Sequence, residues 1–488
     1  MKKRISLSAL LVFVLVFQAS VLYAQQAKNV ILLIGDGMGF NADLAGTYWR
    51  FGDQGDQKYH QFPKFLGCTT FNITSANYDP AQDVGYDPEV IWGSLTGSDQ
   101  NGHHTSVTDS GASASALNCG VKTRGGRICM DFNGEKRLKA YSEYAAEAGR
   151  SVGVVTTVPL CHATPAGAVA HNNNRGNYLE LAQEMILNPN ITVIMGSGNP
   201  EYENGRKIEK DPKDLNYTFV GGKYLWDALK QNNGFADLTL IQQKEEFQKF
   251  AAESPKSENL PKRLIGVPIS GVGDIPPIDG AEDEAGMAKV RELFPQELID
   301  TTPELSTMSL AALNVLGRNP NGFYLMIEGG AIDHGNHSNN ITHTVMEHTG
   351  FAKAIDAVCD WIEKNSSWDE TLVIVTADHN TGRMFGPGTY DDVNGDGKFK
   401  EKDGDSFNDF MPIKNAGQSV VPEVQYSTNG HSNMLVPIWI KGVGADDVDS
   451  LIRGHDDKAA QYYNFSGDYI DNTDVFTLMM KASGFEKK

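Results

Sequence analysis

Six short apolar runs recur along this chain: NVILLIG (29–35), SVGVVTTV (151–158), ITVIMG (191–196), FYLMI (323–327), TLVIVT (371–376) and MLVPIWI (434–440). None alternates strictly between polar and apolar residues, so each reads as a strand buried on both faces. Helix-forming stretches lie between them. LKAYSEYAAEAG (138–149) stops at Gly149, and TPELSTMSLAALNVLG (302–317) offers Thr302 as a cap with Pro303 in the first turn. Buried strands that alternate with helices form a mainly parallel sheet. The expected fold is therefore α/β, with a mainly parallel central sheet covered by helices on both faces. A Gly-, Asp- and Lys-rich stretch at about 385–427 has no periodicity and is expected to be an inserted cap or loop. Residues 198–300 hold a second polar tract that suits further insertions.

The chain carries 42 basic against 62 acidic residues, a net charge of −20. A surface of that sign repels nucleic acid and anionic lipid, which excludes both as general partners. An anionic substrate would need a local positive site. The first residues read as an export signal: Lys2, Lys3 and Arg4, then LLVFVLVF (10–17), then Tyr23-Ala24-Gln25. Cleavage after Ala24 would remove 1–24 as a signal peptide and leave 25–488 as a single domain. The destination is then the periplasm or full secretion, with no stable membrane insertion after signal removal. The rival reading is an uncleaved anchor from Ile5 to Tyr23. The five cysteines (Cys68, Cys119, Cys129, Cys161, Cys359) show no CxxC spacing, so a thiolate zinc site is not indicated. Export permits disulfides without saying which.

Acids and histidines follow the strands. NVILLIG leads into Asp36, FYLMI into Glu328, Asp333, His334 and His337, and TLVIVT into Asp378 and His379; SVGVVTTV is followed by a stretch bearing His162, Thr164 and Arg175. Any one of these motifs alone is more often a turn or a surface pair. Ligands of open α/β sheets bind beyond the carboxyl ends of the strands, so all of them can meet in one place. Carboxylates mixed with imidazoles suit zinc, whereas a Glu, a Thr hydroxyl and a shared Asp suit a harder ion such as magnesium.

TDSGASASALNCG (108–120) supplies a nucleophile candidate. Ser110 opens a small-residue helix, where free N–H groups and the positive end of the dipole favour an alkoxide or a phosphate. An ordinary Ser/Asp cap is the plainer reading of that stretch alone. No GxSxG elbow is present, so an α/β-hydrolase triad is not supported.

Taken together, IGDGMG, TDSGASASA, HATPAGAVAH…R, MIEGGAIDHGNH, TADHNTG and NGHSNM resemble the alkaline phosphatase family, in that family's order, from about Asn29 to the C-terminus. The resemblance implies an alkaline-phosphatase-like fold and hydrolysis of phosphate monoesters through a phosphoserine, at a site with two zinc ions and one magnesium ion. Ser110 matches the phosphorylated serine and Arg175 the arginine that holds phosphate, with Asp109 as its pairing partner. Asp333, His337 and His431 match the ligands of one zinc; Asp36, Asp378 and His379 match those of the second. Asp36, Thr164 and Glu328 match the magnesium site. His162 and His334 stand where the enteric bacterial type has Asp and Lys and the animal enzymes have His; there they act near metals or phosphate. Gly111 replaces the usual Ala, which implies a looser helix start. The family resemblance also implies a homodimer.

Three divalent cations, four carboxylates, an ionised Ser110, Arg175 and Asp109 would sum to a small net positive charge, enough to hold a phosphate dianion on a strongly negative chain. DVNGDGKFKEKD (392–403) matches half of a calcium loop through Asp392, Asn394, Asp396 and Gly397, with Asp403 at position 12; a polar turn is the equal alternative. The enzyme alternative is a phosphodiesterase or sulfatase of the same superfamily. The alternative of another class is a non-catalytic exported protein that binds metal or phosphate.

Overall fold

All six apolar runs enter one eleven-stranded sheet. Its strands are β1 (Asn29–Gly35), β2 (Lys64–Thr69), β3 (Ser151–Pro159), β4 (Ile191–Ser197), β5 (Leu238–Ile241), β6 (Arg263–Gly266), β7 (Phe323–Gly329), β8 (Thr371–Thr376), β9 (Val436–Gly442), β10 (Gly454–His455) and β11 (Asp468–Asp471). They lie in the order β10-β11-β2-β9-β8-β1-β7-β3-β4-β6-β5. The computed structural model describes residues 26–487 apart from 56, 80, 84, 94–103, 232–234, 282 and 390–409. The expected signal peptide and the 392–403 segment lie outside the described residues.

From β8 to β5 every neighbouring pair is parallel. β9 is antiparallel to both β8 and β2. MLVPIWI is therefore an interior strand, as its apolar run requires, but its direction is reversed. Covered flanks set the residue types of a strand and leave its direction open.

Eight helices position the site: α1 (Phe40–Phe51), α2 (Ser110–Cys119), α3 (Tyr141–Glu147), α4 (Ala163–Val169), α5 (Leu305–Leu316), α6 (Ala331–His337), α7 (Ile341–Asn365) and α8 (Asn472–Ser483). They cover both sheet faces, and β7 shows how. The Phe323 ring meets Trp361 of α7 edge-on at 5.8 Å. One residue on, Tyr324 points the other way, stacking edge-on against Tyr141 of α3 and donating from its hydroxyl to Asn118 of α2 at 2.6 Å. This is the two-residue period of a strand with a core on each side. Glu328 shares the Tyr324 face, which is how a charge comes to end a fully buried strand.

Two helix starts differ from the sequence reading. α5 begins at Leu305 behind Glu304, because Thr302 closes the preceding helix (Gln296–Thr301) and donates its hydroxyl to the Leu298 carbonyl at 2.6 Å. α3 begins at Tyr141, where the Glu143 carboxylate accepts from the Ala140 N–H at 2.8 Å. In the expected insertion, Met384–Phe385 pairs antiparallel with Gln425–Tyr426. Phe410 packs there with Phe385 and Trp92 in a small second core.

Candidate active site

The parallel strands deliver their acids to one end of the sheet. Asp36 follows β1, Glu328 is the penultimate residue of β7, Asp378 and His379 follow β8, and Thr164 sits on α4 just beyond β3. Asp333 and His337 are one helical turn apart on α6, so both side chains share a face. His431 arrives on a two-residue strand that pairs with Asn380–Thr381. These residues form three clusters whose donor atoms lie within 4.8 Å of one another: Asp333, His337 and His431; Asp36, Asp378 and His379; Asp36, His162 and Glu328.

In the first cluster His337 Nε2 lies 3.1 Å from both Asp333 Oδ2 and His431 Nε2. The far nitrogen of each imidazole is fixed by backbone: His337 Nδ1 by the Asn429 carbonyl at 2.5 Å and His431 Nδ1 by the Thr108 carbonyl at 2.8 Å. Each Nδ1 thus carries the proton, leaving both Nε2 lone pairs aimed inward with a carboxylate, the arrangement a cation requires. Burial works to raise the Asp333 pKa, but His337, His379 and His431 hold it well below the usual carboxylate range.

The second cluster is fully enclosed. Asp378 Oδ1 accepts from the backbone N–H groups of Gly37 and His379 at 3.1 and 2.9 Å, while Oδ2 has no hydrogen-bond partner among the described residues. Asp36 Oδ1 and Glu328 Oε1 are likewise buried without one. Burial, then the neighbouring acids, pushes Asp36 well above the usual range and Asp378 up to about 8. Burial, then His431, lowers His379 well below an ordinary imidazole. Crowded acids with orphaned oxygens are costly unless positive charge joins them.

In the third cluster Glu328 Oε2 accepts from Thr156 at 2.5 Å. The Thr164 hydroxyl and His162 Nδ1 are buried without a hydrogen bond of normal geometry. Burial and the Arg175 charge bring His162 down to about 3.

Ser110 begins α2, with its hydroxyl 3.2 Å from His379 Nε2. Asp109 caps that helix, accepting from the N–H groups of Gly111 and Ala112 at 3.2 Å each. It also accepts from the Gly126 N–H at 2.9 Å and the Arg175 guanidinium at 3.0 Å. Burial acts to raise its pKa, but Arg175 and the backbone donors of Gly126 and Ala112 together hold it below normal. Gly111 leaves room: a Cβ there would come within 3.1 Å of the Arg127 carbonyl. His334 does not join the three clusters; its Nδ1 pairs with Asp274 at 2.8 Å, which raises its pKa to about 9.

Sequence reasoning missed four supports. Asp274 holds His334, Thr156 holds Glu328, and Thr381 donates to Asp333 Oδ1 at 2.5 Å and lies 3.2 Å from His379 Nδ1. Ser113 ties α2 to the Asp378 carbonyl at 2.6 Å. Thr156, Thr381 and Ser113 each lie inside a stretch quoted for other residues, which was the available signal. Asp274 had none.

The chain matches the family described as alkaline phosphatase over residues 27–485. Alkaline phosphatase 3 of Bacillus subtilis (strain 168) is 30% identical over 370 residues, a match that takes in 73% of this chain and 62% of that protein. The alkaline phosphatase of Escherichia coli (strain K12) is 28% identical over 390 residues, covering 74% of this chain and 72% of that one. The match therefore spans less than two thirds of the length of the Bacillus relatives. Among solved structures, alkaline phosphatase from the Antarctic bacterium TAB5 superposes with a TM-score of 0.58 at 23% identity, covering 95% of this chain and 100% of that one. That is a likeness of fold.

Proposed function

The chain belongs to the alkaline phosphatase family, and from that premise we propose that it hydrolyses phosphate monoesters, passing the phosphoryl group first to Ser110 and then to water. One observation carries the reading. Ser110 Oγ stands at a helix N-terminus 3.2 Å from His379, next to buried acids that each keep one unpartnered oxygen, and near the Asp109–Arg175 pair.

The donor sets fit divalent cations. Asp333, His337 and His431 would hold one zinc; Asp36, Asp378 and His379 a second; Asp36, Thr164 and Glu328 a magnesium. Orphaned Asp36 Oδ1, Asp378 Oδ2, Glu328 Oε1 and Thr164 Oγ1 support this assignment. A substituted form of the TAB5 enzyme is described with Mg bound in its M3 site. The three residues that would hold magnesium offer only oxygens, and His162 brings a nitrogen beside that cluster. Such cations, when bound, supply positive charge that lowers the pKa of hydroxyl groups and stabilises phosphoryl oxygens.

The protein's own groups do the rest. Arg175, a planar fork of donors, takes two non-bridging phosphate oxygens in parallel and sets phosphorus before Ser110. Asp109 positions that guanidinium and locks the start of α2 at the same time. The Ser110 Oγ–P bond forms as the ester P–O bond breaks, with the alcohol leaving opposite. Water then attacks the phosphoserine along the same line and returns the hydroxyl. Every named group addresses phosphate, so selectivity for the alcohol portion is slight.

Turnover of a chromogenic phosphate monoester, compared with a diester and a sulfate ester, tests the reading. Monoester turnover that depends on Ser110 supports it; a clear preference for diester or sulfate overturns it. Two copies per particle, a leader removed at Ala24 and one catalytic unit over 25–488 complete the proposal. Light scattering and N-terminal sequencing of the exported protein check these.

A further inference from the structure

Cys119 is the last residue of α2, the helix that Ser110 begins. The chain then doubles back. Gly126 gives its N–H to Asp109 and its carbonyl to the Arg175 N–H at 2.8 Å. Ile128 bridges Asn172 through two backbone hydrogen bonds of 2.9 Å each. Ser115 of α2 accepts from the Cys129 N–H at 2.8 Å. This returning segment holds a non-glycine residue, Cys129, at φ +44°, a backbone conformation that needs a local reason. Its effect is to bring Cys129 Sγ to 3.0 Å from Cys119 Sγ. That is closer than two touching sulfurs, and about 1 Å beyond the bond length of about 2.05 Å. Both thiols are buried, and no other pair of cysteine sulfurs comes into hydrogen-bonding range among the described residues.

We infer that Cys119 and Cys129 are joined by a disulfide when the protein folds in an oxidising compartment, strapping the far end of the Ser110 helix to the loop that holds Asp109 and Arg175. The bond forms while the chain folds, since both sulfurs are closed off afterwards. One thiolate attacks a disulfide oxidant, such as oxidised glutathione or an exchange protein of that compartment, and displaces one of its sulfurs. The second thiolate attacks the mixed disulfide at the protein sulfur. The two thiols lose two protons and two electrons, and the oxidant leaves as two thiols. The ring closed is short, and its gain comes from restricting the unfolded chain. Cys68, Cys161 and Cys359 stay reduced.

The protein is isolated from the compartment it is exported to, unfolded with iodoacetamide and without reductant, then digested and weighed. The expected result is a Cys119–Cys129 fragment two hydrogen masses below the dithiol, with the other three cysteines alkylated. Alkylated Cys119 and Cys129, or a link to any other cysteine, overturns the inference. A second measurement uses heat. Dithiothreitol should lower the Tm of the wild-type protein by about 4 °C and leave that of Cys119→Ser and Cys129→Ser unmoved. An unchanged wild-type Tm on proven reduction also overturns it. Neither readout involves ester turnover, so failure here is separable from failure of the hydrolytic reading.

Discussion

Two regions of the described structure bury acids beside imidazoles, and they are built in opposite ways. Away from the site, Asp43 of α1 accepts from the Tyr59 hydroxyl at 2.5 Å and pairs with His348 of α7 at 3.1 Å and His60 at 2.9 Å. Both its oxygens are used, and His348 Nδ1, packed against Gly46, is the atom left over. Although burial acts to raise it, His60 and His348 hold the Asp43 carboxyl well below its usual range. At the site, Asp36 and Asp378 are as deeply buried, but other acids crowd them and one oxygen of each, Asp36 Oδ1 and Asp378 Oδ2, lacks a hydrogen-bond donor among the described residues. The same residue types thus make a closed structural joint in one place and an incomplete one in the other. The number of acids distinguishes them less than whether each lone pair already has a donor.

The sharpest way to break this comparison is to remove the group proposed to react. Ser110→Ala should lower kcat on a phosphate monoester by at least about 10³-fold and abolish labelling of the protein by radioactive phosphate. It should leave the urea midpoint almost unmoved. Chelation should have a comparable effect on activity, and zinc should restore it; full activity in metal-free protein would erase the distinction between the clusters. Asp43→Ala should do the reverse, costing about 3 kcal/mol in urea unfolding with kcat retained.

Arg175→Ala comes next. Losing a charge-assisted fork should weaken inhibition by inorganic phosphate about 10- to 100-fold. The two clusters also predict opposite pH behaviour in metal-free protein. An unfolded carboxyl titrates near 3.9, whereas folded Asp378 holds its proton up to about 8. The folded chain therefore binds more protons across that window, so this cluster subtracts stability as pH rises through it. Asp43 is lowered, so its contribution is present above the unfolded value and lost as pH falls below it. Thermal melts of wild type and Asp43→Asn against pH, with and without zinc, separate the two. The smallest effect is expected from Asp274→Asn. It should loosen His334 and raise KM about 2- to 5-fold through a lost charge-assisted contact, with kcat nearly unchanged.

The centre of the fold was legible because continuous apolar runs have few other uses. Its edges were not. LTLI (β5) and RLIG (β6) are four-residue strands at one edge of the sheet, and KFLGCT (β2), though interior between β11 and β9, mixes Lys, Gly and Thr among its apolar residues. The direction of β9 was hidden for the reason given above. In the site, each acid or histidine after a strand could be named from sequence, since strand ends converge. Supports that come from distant segments could not be named. The Asn429 and Thr108 carbonyls carry no residue signature at all, and Asp274 lies in an unremarkable proline-rich turn.

Asp36 belongs to two of the three clusters at once. A carboxylate shared in this way makes the occupancies of the two positions interdependent. An ion arriving at either neutralises the charge that drew the other and also fixes the rotamer both require, so each must change the other's affinity by an equal factor. Titrating the apo-protein with one metal species should therefore give a different curve in the presence of the second, and swapping the order of addition should return the same coupling.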